Sequence, residues 1–207
     1  MSRAAFSSER INALSDGVFA IAMTLLVFNI QIPDLGDIDN RETFERAIAG
    51  QLPHLVSWLL SFAILCRLWI THNHLMRDHP KKSAGFTACN FVLLGAVALI
   101  PFPASLLGEH PDQAWSVIIL SATYGVAALA MAGMWRVAPA RGSKQAKMVL
   151  GVSLLTMLAA LLASLVALIH PYLGISVWAI YLVGSMQLGR VIARTRGAHR
   201  HRSAKGE

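Results

Sequence analysis

Apolar residues along this chain fall into six long runs, at about 11–32, 54–76, 84–107, 114–135, 147–169 and 173–193, separated by short polar stretches. Each run is close to the ~20 residues an α-helix needs to cross the hydrocarbon core of a bilayer. The pattern therefore predicts six membrane-spanning helices. Prolines punctuate it. Pro33, Pro80, Pro111, Pro139 and Pro171 mark boundaries, while Pro101 and Pro103 fall near the end of the third run, where a bent helix end is tolerated. The linker from Pro33 to Gln51 is acidic, with room for a helical turn or two between Thr43 and Ala49. No internal repeat stands out, and the basic segment 195–207 is expected to be disordered.

The first run, ALSDGVFAIAMTLLVFNI from Ala13 to Ile30, has distinguishable faces. At 100° per residue, Arg10, Leu14, Gly17, Ile21, Leu25 and Phe28 share one stripe. Beside it Ala13, Gly17, Ala20 and Thr24 form a line of small residues, which lets another helix approach closely. Asp16 points about 120° away from the bulky stripe. A bulky apolar line, a close-packing line and a separate polar face suggest several copies of this helix around one axis.

Composition agrees with the pattern. The chain has 207 residues, 55% of them hydrophobic and only 14% charged, where a soluble domain carries about a quarter charged residues. Net charge is +7, which by itself would suggest a nucleic-acid partner, but the bases flank the apolar runs. With the N-terminus placed inside, every Lys and Arg except Arg41, Arg46 and Arg67 falls on the inner side or in the basic tail, 15 of 18. Asp34, Asp37, Asp39, Glu42, Glu45, Glu109 and Asp112 fall outside. The positive-inside rule then predicts both termini in the cytoplasm. The basic tail reads as a segment lying on anionic lipid, and no nucleic-acid partner is expected. Cys66 and Cys89 lie within apolar runs, so no disulfide framework is expected. The first run is too long for a cleavable signal and contains an acid, so none is expected either.

Two charges remain inside spans, Asp16 in the first and Arg67 in the second. Charges there are costly and mark functional or partnered positions. Asp16 lies about 8 Å and Arg67 about 14 Å from the cytoplasmic ends of their helices, at 1.5 Å per residue. Two arrangements are open: the pair meets, or Arg67 reaches backbone carbonyls or the headgroups alone. Trp69-Ile70-Thr71-His72-Asn73-His74 closes the second run. His72 and His74 point about 160° apart on a helix, so they cannot chelate one metal together. Trp69 and His72 share a face, either as interfacial residues or as hydrogen-bond partners of the first helix near Ser15 and Asp16. Protease, ATPase and carbonyl-filter motifs are missing, as are an Arg-every-third helix and matched broken helices. No enzyme activity, metal or cofactor is expected.

The segment Arg10-x-x-x-Leu14-Ser15-Asp16, followed by Gly17-Val18-Phe19-Ala20-Ile21 and Thr24-Leu25-Leu26-Val27, resembles the start of the bacterial transmembrane-protein-175 potassium channels. That family carries R-x-x-x-F-S-D there. Trp69-x-x-His72 and Asn90…Pro101-Phe102-Pro103 resemble it too, and the likeness covers essentially the whole chain. The resemblance implies an all-α membrane protein with six transmembrane helices per subunit, assembled as a homotetramer whose first helices line a central pore. It implies a potassium-selective or potassium-permeable channel in a bacterial plasma membrane, with residues 1–194 as the channel domain. Residue by residue, the narrowest apolar ring falls on Ile21, the selectivity threonine on Thr24, and further rings on Leu25 and Phe28, with potassium ions near Ile21 and Thr24. Arg10, Ser15, Asp16, Trp69 and His72 match the polar network that ties the helices together. Leu14 replaces the motif phenylalanine, and Phe28 stands where a smaller aliphatic is usual, which narrows that end of the pore. The competing expectation is a proton-coupled secondary transporter with Asp16, Arg67 and His72 as its relay.

Overall fold

A computed structural model describes residues 8–30, 41–77, 83–137 and 144–185. The first helix, α1 (Ser8–Leu25), ends in a 3-10 turn over Leu26–Asn29. Then come α2 (Arg41–Ala49), α3 (Leu52–Arg77), α4 (Ala84–Leu99), α5 (Pro101–Glu109), α6 (Ala114–Val137), α7 (Lys144–Ala167) and α8 (Pro171–Ser185). No strand occurs among the described residues. Five helical stretches there are long and apolar enough to cross a membrane: Glu9–Asn29, Arg41–Arg77, Ala84–Glu109, Ala114–Val137 and Met148–Ala167. The chain is an all-α, multi-pass membrane protein. The expected sixth span begins as α8, and its remainder, from 186, lies outside the described residues, as do the start of the acidic linker and the basic tail.

The third span is two helices. Pro101 and Pro103 bring no N–H, so the carbonyls of Val97 and Leu99 lose their α-helical donors. Val97 O is met instead by Ile100 N at 3.2 Å, and the chain restarts as α5 with proline in its first turn, where a missing N–H costs nothing. Ser83 caps the start of α4, its side chain accepting from Phe86 N.

The core is a continuous cluster drawn from most of the spans, with Phe19, Leu26, Ile64, Leu65, Leu68, Leu93, Val97, Leu120, Tyr124 and Trp178 almost wholly enclosed. α6 packs along α7 and α4, whereas α1 touches mainly α4 and α3. Lipid supplies no hydrophobic force between helices, so close approach and interhelical hydrogen bonds carry the association. Ser57 Oγ donates to Ala104 O (2.6 Å), Tyr124 OH to Ser61 O (3.2 Å) and Trp178 Nε1 to Ser121 Oγ (2.9 Å), while the Thr156 and Tyr181 hydroxyls meet at 2.6 Å. Two glycines permit the tightest contacts. A Cβ on Gly108 would lie 2.6 Å from His54 Nδ1, and one on Gly174 would lie 2.8 Å from Ala163 O.

Candidate ion pathway and its supporting network

α1 divides cleanly along its length. Ile11, Ser15, Phe19, Ala22 and Leu26, at steps of four and three, are buried on the side that packs against α3, α4 and, at the 3-10 turn, α5. The opposite half carries every residue expected to line a pore. Ile21 is 59% exposed, Leu25 42% and Phe28 77%, and Thr24 is exposed between them. Thr24 Oγ1 donates to Ile21 O at 2.8 Å, so its proton is committed to the backbone and its lone pairs are left to accept. Ala13, Gly17 and Ala20 lie exposed beside this line, and nothing stands within 4 Å of where a Gly17 Cβ would be. The exposed half of α1 is thus bulky on one side and small on the other.

Val27 also lies on the exposed half, at 50% exposure. It follows the buried Leu26 by about 100° in an α-helix and about 120° in a 3-10 turn, so either winding turns it away from the bundle. Its offset of about 120° from Ile21 leads away from the buried line, not onto it. In the 3-10 turn Leu26 and Asn29 eclipse one another on the buried side.

The buried side of α1 is tied down by a directional chain. Ser15 Oγ donates to Ile11 O at 2.8 Å. That oxygen must then accept from Asn90 Nδ2, at 3.1 Å, which turns Asn90 Oδ1 toward His72 Nε2 at 2.8 Å. The donor order makes Nε2 the protonated nitrogen of His72. Phe19 lies over the same imidazole, ring centroids 5.5 Å apart. One chain of polar groups therefore stitches α1, α4 and α3 inside the core. A second tie lies nearer the surface, where Trp69 Nε1 donates to Asp16 Oδ1 at 3.1 Å. Ser15, Asp16, Trp69 and His72 all come together here. Asn90, named above only within the resemblance, is the residue that joins Ser15 to His72. Its signal was a carboxamide in the apolar run Cys89–Gly95.

Arg67 stands apart. It and Trp69 are two residues apart on α3, hence about 200° around the helix. Trp69 occupies the flank facing Asp16, so Arg67 lies on the other, with its Nε enclosed and without a hydrogen-bond partner. Of the two arrangements left open, the meeting of Asp16 and Arg67 does not occur within this chain, and Asp16, Arg67 and His72 form no continuous relay. Among the described residues no three His, Cys, Asp or Glu side chains converge on a point.

Comparison with known proteins bears on this geometry. Residues 10–101, which hold the exposed line and both ties, match the family model of the endosomal/lysosomal potassium channel TMEM175. A potassium channel of Streptomyces collinus is 30% identical over 125 residues, 60% of this chain and 59% of that protein. One from Chamaesiphon minutus is 30% identical over 130 residues, 61% of this chain and 64% of that protein. The matched stretch thus spans less than two thirds of either relative. The crystal structure of a lysosomal potassium-selective channel TMEM175 homologue from Chamaesiphon minutus superposes with a TM-score of 0.77 at 24% identity, covering 85% of this chain and 94% of that one. Residues 10–101 are thus similar in sequence to the TMEM175 channels, and most of the chain shares the fold of a TMEM175 homologue.

Proposed function

We propose that four copies of this chain surround an axis lined by α1 and conduct potassium ions across a bacterial plasma membrane. The observation that carries the reading is the uncovered half of α1. Ile21, Thr24, Leu25 and Phe28 all stand outside the subunit's own buried core, although the other half of the same helix is anchored by two hydrogen-bonded ties. The relatives named as potassium channels supply the permeant ion. Around a four-fold axis, Ile21 side chains form a short apolar neck in which water is poorly held, and conduction is controlled by closing or wetting that neck. Thr24 hydroxyls, each donating to the backbone, turn lone pairs toward a dehydrating cation. Small residues at Ala13, Gly17 and Ala20 let neighbouring α1 helices approach. Arg10 and the ties through Ser15, Asp16, Trp69 and His72 hold each α1 in register. The distribution of Lys and Arg supports a cytoplasmic position for both termini; in this reading residues 1–194 form the channel domain and 195–207 lie on the anionic inner leaflet.

The test is purified protein in planar bilayers and potassium-loaded liposomes, with potassium and proton flux read separately. Unitary currents carried by potassium support the reading. A saturable flux that requires a proton gradient identifies a carrier, and no flux in either assay refutes both.

A further inference from the structure

The C-terminal turn of α1 holds a feature that neither the resemblance nor the channel reading explains. Leu26–Asn29 wind as 3-10, a form with poorer hydrogen-bond geometry than the α-helix that often closes a helix. The turn closes with Ile30 N donating to Val27 O at 3.0 Å, and Ile30 then leaves in an extended conformation. The turn has a tertiary partner. Asn29, 8% exposed, donates through Nδ2 to the main-chain carbonyl of Pro101 at 3.1 Å. Pro101 is the first residue of α5, at the break made by two prolines without N–H groups.

Winding decides where side chains point. In the 3-10 form residues three apart eclipse, so Asn29 stands under Leu26, facing Pro101, and Phe28 stands under Leu25. In α form Asn29 and Phe28 would each lie about 60° from those lines. Asn29 is one residue from Phe28, whose side chain is 77% exposed on the proposed pore face. We propose that Asn29 is a positioning residue: its bond to the Pro101 carbonyl holds the last turn of α1 in 3-10 form and so sets Phe28 over Leu25, fixing the shape of that end of the pore. The pore consequence rests on the channel reading above; the winding does not. Any shift of the α4–α5 joint that carries the Pro101 carbonyl away from Asn29 would release the turn and move Phe28, coupling a joint distant in sequence to the pore wall.

The experiment uses the full chain reconstituted in phosphatidylcholine/phosphatidylglycerol bilayers. Asn29→Leu keeps the approximate shape but donates nothing, while Asn29→Gln keeps a carboxamide. Carbon chemical shifts of Leu26–Asn29 from solid-state NMR report the winding directly. Single cysteines at Val27 or Phe28, with Cys66 and Cys89 replaced by Ala, report which position reacts with a water-borne thiol reagent. Loss of one neutral hydrogen bond should move the ratio of α to 3-10 winding in Asn29→Leu by about three- to tenfold. The ratio of reaction rates at the two cysteines should change by a similar factor, and Asn29→Gln should return both readouts toward the native values. Native shifts in Asn29→Leu, or Asn29→Gln behaving like Asn29→Leu, overturn the proposal. Shifts that respond while position 28 stays unreactive in every variant leave Asn29 as the determinant of winding and refute the pore placement of Phe28.

Discussion

Asn90→Leu tests whether the buried chain from His72 to Ile11 holds α1 in place. Asn90 is wholly enclosed and makes two interhelical hydrogen bonds, accepting from His72 Nε2 at 2.8 Å and donating to Ser15 Oγ at 3.1 Å. Leucine fills nearly the same space, so no large cavity forms. Interhelical hydrogen bonds in membranes average about 0.6 kcal/mol each, which sets a floor of about 1 kcal/mol for two. The asymmetry lies in what remains. Ser15 keeps its bond to Ile11 O and loses only a donor to its oxygen, which is cheap. His72 keeps an enclosed N–H with its acceptor gone, and an unsatisfied buried group costs about 1–3 kcal/mol. The expected loss is therefore about 2–4 kcal/mol, dominated by the stranded imidazole. Unfolding in mixed detergent micelles measures it, within a cycle that adds His72→Phe and the double variant. Removing both partners should cost about 1 kcal/mol or more less than the sum of the single changes. Strictly additive changes, or an Asn90→Leu protein as stable as the native one, would refute the donor order deduced for this chain.

Three further outcomes follow from the same geometry. Ile21→Ala should raise basal current and weaken discrimination of potassium from sodium by widening the apolar neck, and Ile21→Asn should do so further by wetting it. Leu158→Ala, on the exposed face of α7 away from α1, should leave conduction unchanged, and equal effects at the two sites would remove α1 from the pore wall. Asp16→Ala should lower the thermal stability of the assembled protein, because Trp69 Nε1 loses its acceptor; a stable assembly with altered ion preference would put Asp16 in the permeation path. A membrane-impermeant thiol reagent on intact cells should label a cysteine placed at Asn40 and not one placed at Ser143, and the reverse pattern would invert the topology.

Hydrophobic run length was enough to mark five of the spans and the start of the sixth, because transfer into lipid is a property each segment carries locally. The two faces of α1 were legible for a related reason: helical periodicity assigns directions before any neighbour is known. Leu14, Ile21, Leu25 and Phe28 stand exposed as that periodicity required, and Ile11, Ser15 and Phe19 do not. Partners are a different matter, since they depend on which helices become neighbours and how each is rotated. Depth left a pairing of Asp16 with Arg67 open, but rotation of α3 presents Trp69 to Asp16 and carries Arg67 to the far flank. Asn90 became the centre of the buried network only because α4 packs between α1 and α3 at that level. The change from α to 3-10 winding at Leu26 could not be read from LVFN, four residues with no breaker among them. Nor could the bond that holds Asn29 there, to a proline carbonyl 72 positions away that only the folded chain brings within 3.1 Å.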